Sequence, residues 1–250
     1  MSCARLYIDL ELVFDSPQDF LYRQKGQLKL DNSVIEEFLP HLIQPTVLPE
    51  IHGHEVVVGP TTCFSSVYFS TSLEIPFVGG GLEVRSKDQD FAISKKLFLK
   101  ASHDADFSEA VTKETHIGFV ISECKTNLDK TMFQEACATA HDVKAAVSGA
   151  RYYLLCEWLD MTPLSTAPTD IDEILLLRKA KRLNSNVRKN YASFAGRQAN
   201  RFAYRQYFTS NPFQPEVIER FVNHIRGILR SEAPCRERRT QPGLLLRCEP

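Results

Sequence analysis

His116-Ile117-Gly118-Phe119-Val120-Ile121-Ser122-Glu123-Cys124-Lys125 is a near-continuous apolar run that ends abruptly in two opposite charges. Such a run suits a central strand buried on both faces, because neither set of alternating side chains then meets water. The pattern changes after it: from Leu128 to Val147, Phe133, Ala136, Cys137, Ala140 and Val143 recur at helical spacing. A strand follows at 152–158 (Tyr-Tyr-Leu-Leu-Cys-Glu-Trp), then another apolar run at 174–177. Upstream, 89–93 (Gln-Asp-Phe-Ala-Ile) and 97–101 (Leu-Phe-Leu-Lys-Ala) read as a hairpin around Ser94-Lys95-Lys96, and the polar, acidic stretch 103–115 as a loop. The order strand–hairpin–strand–helix–strand predicts an α/β fold with a mixed central sheet flanked by helices.

Nearer the N-terminus, Asn32 to Leu39 has the form of a helix start. Ser33 suits the N-cap and Glu36, three residues on, completes a capping box that would satisfy two orphan backbone donors. Pro40, Pro45 and Pro49 are then expected to break regular structure. Residues 55–58 and 64–69 have the β-branched and aromatic content of two strands. Gly79-Gly80-Gly81 reads as a turn, since it lacks the strand and helix context of a nucleotide-binding loop.

The composition is 43% hydrophobic and 24% charged, enough to bury a substantial core. No apolar run is long enough to cross a bilayer, the first residues lack a secretory signal, and a cytoplasmic location is expected. Seven scattered cysteines form no Cys-x-x-Cys pair or zinc-spaced cluster, so free thiols are expected. His52-Gly53-His54 reads as exposed loop rather than a metal site. The net charge of −1 conceals an asymmetry: residues 178–250 hold 16 Lys/Arg and 5 Asp/Glu, against 14 and 26 in the rest. A basic C-terminal third on an acidic body suggests a polyanion partner.

Glu123 and Lys125 are two apart on the predicted strand, so their side chains share a face. Charges at the end of an apolar strand are costly to desolvate unless exposed or paired. Asp90, on the hairpin, can reach the same sheet edge. Two carboxylates from neighbouring strands offer hard oxygen ligands to Mg²⁺, which would polarise a scissile phosphate and acidify a bound water. Lys125 can position or deprotonate that water and offset phosphate charge. By spacing alone, the competing reading is a plain ion pair at a strand end.

The flanking residues add specificity. Val84 to Ile93, with Asp90, and Glu123 to Glu135, opening on Glu123-Cys124-Lys125, resemble the PD-(D/E)xK nuclease signature in one branch, the type II restriction endonucleases of the BbvCI and DdeI kind. The likeness extends to Ser33–Leu42 and to 153–178, ending Thr169-Asp170-Ile171-Asp172-Glu173-Ile174-Leu175-Leu176-Leu177-Arg178. Two departures stand out: Gln89 occupies the place of the signature's Pro, and the tail from about Ala233 does not resemble the group. The resemblance, over about 33–178, implies a restriction-endonuclease-like core, taken as 1–178, while the charge asymmetry points to a basic DNA-contacting region over 179–250, packed on or continuous with that core. The resemblance also implies a Mg²⁺-dependent enzyme cutting duplex DNA around a CTNAG-like core, as a homodimer or a heterodimer with a related subunit. Asp90, Glu123 and Lys125 would be catalytic, with Asp90 and Glu123 on the metal.

Other residues compete or contribute. Asp88 rivals Asp90 as first ligand. Glu36 or Glu37 is a candidate further metal carboxylate, Glu37 being carried forward; capping and surface charge is the competing reading. Gln134 and Glu135 can face the site or solvent, and Asp104 and Asp106 read as solvated. No Asp or Glu occurs in 174–215. Within that segment Arg178, Lys181, Arg182, Arg188, Lys189, Arg197, Gln198, Asn200, Arg201 and Arg205 are expected to contact DNA. A repair or recombination nuclease of the same fold, and a DNA-recognition subunit without activity, are the alternatives.

Overall fold

In the computed structural model, which describes residues 30–74 and 76–230, the run quoted above lies within β3 (Ala110–Leu128), the middle strand of a five-stranded sheet. The sheet order is β1 (Val57–Phe69), β2 (Leu82–Ser102), β3, β4 (Arg151–Leu159) and β5 (Glu173–Leu176). β1, β2 and β3 are antiparallel neighbours, whereas β3, β4 and β5 run parallel. Parallel neighbours need a crossover, and α2 (Lys130–Ala146) supplies the one between β3 and β4. Asp129 caps that helix by accepting a 2.9 Å hydrogen bond from the Met132 N–H.

Alternation along the strands feeds two cores. On one face Ala92, Ile121, Tyr152, Leu154 and Cys156 pack against Phe133, Ala136, Ala140 and Val143 of α2. On the other, Phe91, Ile93, Val120, Cys124, Tyr153 and Leu155 meet α1 (Leu30–Leu42) and the C-terminal helices. These are α4 (Phe194–Ser210) and α5 (Pro215–Arg230), preceded by the short α3 (Ser185–Arg188). Phe221 of α5 makes edge contacts with Phe91 and Tyr153, at 6.0 and 5.6 Å between ring centres. Each fully buried aliphatic or aromatic side chain contributes about 1.5–3 kcal/mol. A mixed sheet covered on both faces is therefore what the apolar β3 run requires.

Several expectations are corrected. Ser94-Lys95-Lys96 forms no turn: β2 runs straight through, with Ser94 paired to Gly118 and fully buried. The segment lacks a Gly, Asn or Pro to reverse the chain, and the irregularity there is a bulge, the register slipping between Ile93 and Ser94. The two strands read at 55–58 and 64–69 are one, because the Gly59-Pro60 interruption is absorbed as another register shift on β1. Helix α1 already includes Leu30, so Ser33 lies inside it rather than at its N-cap, and Pro40 sits in its last turn without ending it. Gly79-Gly80-Gly81 does turn the chain between β1 and β2, all three with positive φ. A Cβ on Gly79 would lie 2.4 Å from the Ala101 carbonyl oxygen.

Among the described residues Cys63, Cys124, Cys137 and Cys156 are free thiols, the first, second and fourth buried. Cys3, Cys235 and Cys248, and the tail from Ala233, lie outside the described residues. No helix among the described residues is long and apolar enough to cross a membrane.

Candidate active site

Asp90 owes its placement to an irregularity in β2. Gly59 and Thr61 of β1 pair with Ala92 and Gln89, so β2 carries one extra residue at 90–91. Bulges bend a strand and re-aim its side chains. Phe91, opposite Ser122, is the last β2 residue paired with β3, so Asp90 stands where that pairing ends, beside the Glu123–Lys125 segment and within the field of Glu123. The Cys124 N–H donates to Asp90 Oδ2 at 2.7 Å. Asp88 differs: its exposed carboxylate accepts from Thr62 Oγ1 at 2.8 Å. The geometry brings Asp90, not Asp88, to Glu123.

Glu123 and Lys125 share a face as the strand period requires, and Lys125 Nζ lies 2.6 Å from Glu123 Oε1. Glu123 Oε2 accepts a 2.7 Å hydrogen bond from the Tyr152 hydroxyl. That partner was missed in the sequence, because an apolar strand does not disclose its register against its neighbour. Helix α1 brings a carboxylate toward the site, and of the two candidates Glu36 stands nearer the charges of Asp90 and Lys125 than Glu37. Glu36 is half-buried and feels both Asp90 and Lys125, whereas Glu37 is exposed and acts on Glu36. One residue along a helix turns a side chain by about 100°, from 3.6 residues per turn, which sequence spacing alone leaves open. Glu135 is exposed on α2 yet adds to the negative field at Lys125, while Asp104 and Asp106 are exposed and hydrogen-bond Ser108.

The electrostatics follow from crowding. Burial holds the Asp90 carboxyl above the usual range, helped by the Glu123 charge and opposed by the Cys124 N–H and Lys125. Burial, then Asp90 and Glu37, likewise raise Glu36 against the pull of Lys125. Burial would lower the Lys125 ammonium, but its hydrogen bond to Glu123 and the charges of Glu123, Asp90 and Glu135 hold it above its ordinary value. A divalent cation between Asp90 and Glu123 would relieve this repulsion. A hard cation that keeps several waters needs only one or two carboxylates, which is the donor set present. Among the described residues, no group of three or more His, Cys, Asp or Glu stands together as a metal site.

This arrangement can hold a hard cation beside a fixed ammonium, which suits attack on a phosphodiester. A model of the Bpu10I restriction endonuclease family matches residues 27–244, spanning every strand of the sheet and all of these side chains. The chain belongs to the Bpu10I restriction endonuclease family. As a member it is a site-specific deoxyribonuclease of the type II restriction enzymes, a hydrolase acting on DNA. A solved structure described as a native BbvCI A2B2 tetramer at low resolution is similar at 21% identity, covering 83% of this chain and 88% of that one, with a TM-score of 0.41. No curated protein matches the chain.

For a Bpu10I-family enzyme the basic segment is of interest, and the structure divides it. Arg178 is fully buried, its Nε 2.6 Å from Glu157 Oε1 and its Nη1 donating to the Asn211 carbonyl at 2.5 Å. Its guanidinium lies 4.0 Å from the Phe213 ring centre and 4.6 Å from that of Phe208. Arg197 is buried too, donating to the Tyr191 carbonyl at 3.0 Å. The expected DNA contact is therefore corrected for these two, because aromatic packing has enclosed their charges. Lys181, Lys189, Gln198, Arg201 and Arg205 are exposed, while Arg182, Arg188 and Asn200 are half-buried. Asn200 donates to the Gly196 carbonyl of its own helix at 2.8 Å.

Proposed function

We propose that this Bpu10I-family chain is a Mg²⁺-dependent restriction endonuclease that hydrolyses phosphodiester bonds in duplex DNA at a short, CTNAG-like site. The observation that carries the reading is Asp90 bound at 2.7 Å by the Cys124 N–H, the residue between Glu123 and Lys125, with the Lys125 ammonium 2.6 Å from Glu123. Asp90 and Glu123 would hold the metal, and Glu36, within the field of Asp90, adds negative charge that the cation would offset. The chemistry that Mg²⁺ supplies when bound is polarisation of the scissile phosphate and a lower pKa for a bound water. Lys125, kept protonated by its acidic neighbours, offsets phosphate charge and orients the attacking water. The Cys124 N–H holds Asp90 in place for its ligand role.

The region 179–250 is proposed to contact DNA, with Lys181, Arg182, Arg188, Lys189, Gln198, Asn200, Arg201 and Arg205 as candidate contacts. The acid-free stretch 174–215 and the exposure of Lys181, Lys189, Arg201 and Arg205 support this. Two strands must be cut, so the working unit is a homodimer or a heterodimer with a related subunit, and a cytoplasmic location belongs to the same proposal. Phage DNA incubated with the purified protein and Mg²⁺ is expected to give discrete fragments, with Glu123→Gln slower by on the order of 100-fold or more. Uncut DNA, with a related subunit also supplied, would refute the reading.

A further inference from the structure

Tyr152 is fully buried in the apolar layer between the sheet and α2. Its one polar side-chain atom, the phenol oxygen, donates to Glu123 Oε2 at 2.7 Å. Phenylalanine would fill the same apolar space, so the hydroxyl is what distinguishes this position. The backbone of Tyr152 is gripped at both polar groups. Its N–H donates to Asp172 Oδ2 at 2.7 Å, and its carbonyl accepts from the Asp172 N–H at 2.8 Å. Asp172 is itself held by Lys144 of α2 and Arg151 of β4, each at 2.9 Å. The block ending at Arg178, conspicuous in the sequence but without a part in the proposed chemistry, thus contains the anchor that locks Tyr152.

We propose that Tyr152 is a positioning residue for the metal site: its hydroxyl, set by the Asp172 clamp, orients the Glu123 carboxylate before any metal arrives. The proposal rests on reading Glu123 as a metal ligand. Glu123 is held between two donors, Tyr152 on Oε2 and Lys125 on Oε1. A carboxylate so held loses little rotational freedom on binding a cation, whereas an unheld one must be ordered at that moment. Hydrogen-bond partners of metal ligands typically govern about 10–100-fold in affinity or activity.

The test measures Mn²⁺ binding to the full chain without DNA by electron paramagnetic resonance, alongside melting temperature and metal-free DNA binding. Tyr152→Phe is expected to weaken Mn²⁺ about tenfold or more, with melting and DNA binding close to wild type. Incorporating 4-fluorophenylalanine at 152, which keeps ring length but donates nothing, is expected to do the same and serves if the phenylalanine variant fails to fold. Incorporating 4-aminophenylalanine restores a donor and most of the affinity. Tyr153→Phe, on the opposite face beside Phe221, leaves binding unchanged. Wild-type Mn²⁺ affinity in the non-donor variants, with Glu123→Gln defective, overturns the positioning role alone. Wild-type affinity in Glu123→Gln overturns the metal-site reading and this proposal with it.

Discussion

Arg178 carries the same charge as Lys181 and Arg182, three and four residues further along, but its surroundings give it different work. Glu157, Phe208 and Phe213 enclose it, so its guanidinium ties β4 to the segment after β5 and to the end of α4. Removing one partner of a buried pair strands the other charge at a cost of about 3–5 kcal/mol. Arg178→Ala is therefore expected to lower the chemical-denaturation midpoint markedly. Glu157→Leu combined with Arg178→Met should recover much of that loss, because two apolar side chains leave no unpaired charge. If Arg178→Ala instead kept wild-type stability and lost DNA affinity, the structural assignment would be wrong. At the proposed catalytic positions, too, surroundings separate like residues: Asp90 and Asp88 are chemically identical, and Asp90 meets the Cys124 N–H and the field of Glu123 while Asp88 meets Thr62.

Elements are joined at a few polar points as well as by apolar burial. Asp172, just ahead of β5, accepts from the Tyr152 N–H of β4, from Lys144 of α2 and from Arg151, so one carboxylate links two strands and a helix. Burial would raise its pKa, but these three donors outweigh burial and hold it below the usual value of 3.8. The sign follows from linkage: a carboxyl with a depressed folded pKa stabilises the fold at neutral pH and loses that contribution as pH falls through the folded value. Asp172→Asn is thus expected to lower stability at pH 7 by about 1–3 kcal/mol, the scale of charged hydrogen bonds. The gap from wild type should start to close near pH 3.8 and vanish below the folded pKa, as followed by urea melts across pH. A pH-independent gap would assign the effect to packing. The β2 bulge shows the same dependence on pairing: its extra residue is visible only against β1, and it aims Asp90.

Across the whole molecule, the near-zero net charge is the sum of an acidic body and a basic C-terminal third. The acidic residues of the body include Asp90, Glu123 and Glu36, whose repulsion of phosphate a divalent cation would offset. The exposed cations of 179–205 would draw the duplex in through counterion release. Lys181→Ala combined with Lys189→Ala is expected to weaken binding to all duplexes alike and to lower the slope of log affinity against log salt by about two. An unchanged slope in a filter-binding titration would remove these two lysines from the interface. Arg178 and Arg197, counted with the basic segment by charge, should add nothing to that slope because both are buried.

The sequence by itself determined the elements whose signal is local. The β3 run, the 3.6-residue repeat of α2, the strand at 152–158 and the shared face of Glu123 and Lys125 all follow from periodicity, which each segment carries internally. It also held the flanking blocks that resemble restriction nucleases, and family membership agrees with them. Only the tertiary structure decided what depends on register and enclosure. It made one strand of the supposed hairpin at Ser94–Lys96, brought Asp90 to the Cys124 N–H beside a bulge, and put Glu36 in the field of Asp90 and Lys125. It also supplied Tyr152 to Glu123 and withdrew Arg178 and Arg197 from the surface. The reason is physical: alternation states which side chains share a face of their own strand, but which neighbour they meet is settled by pairing and packing with residues distant in the chain.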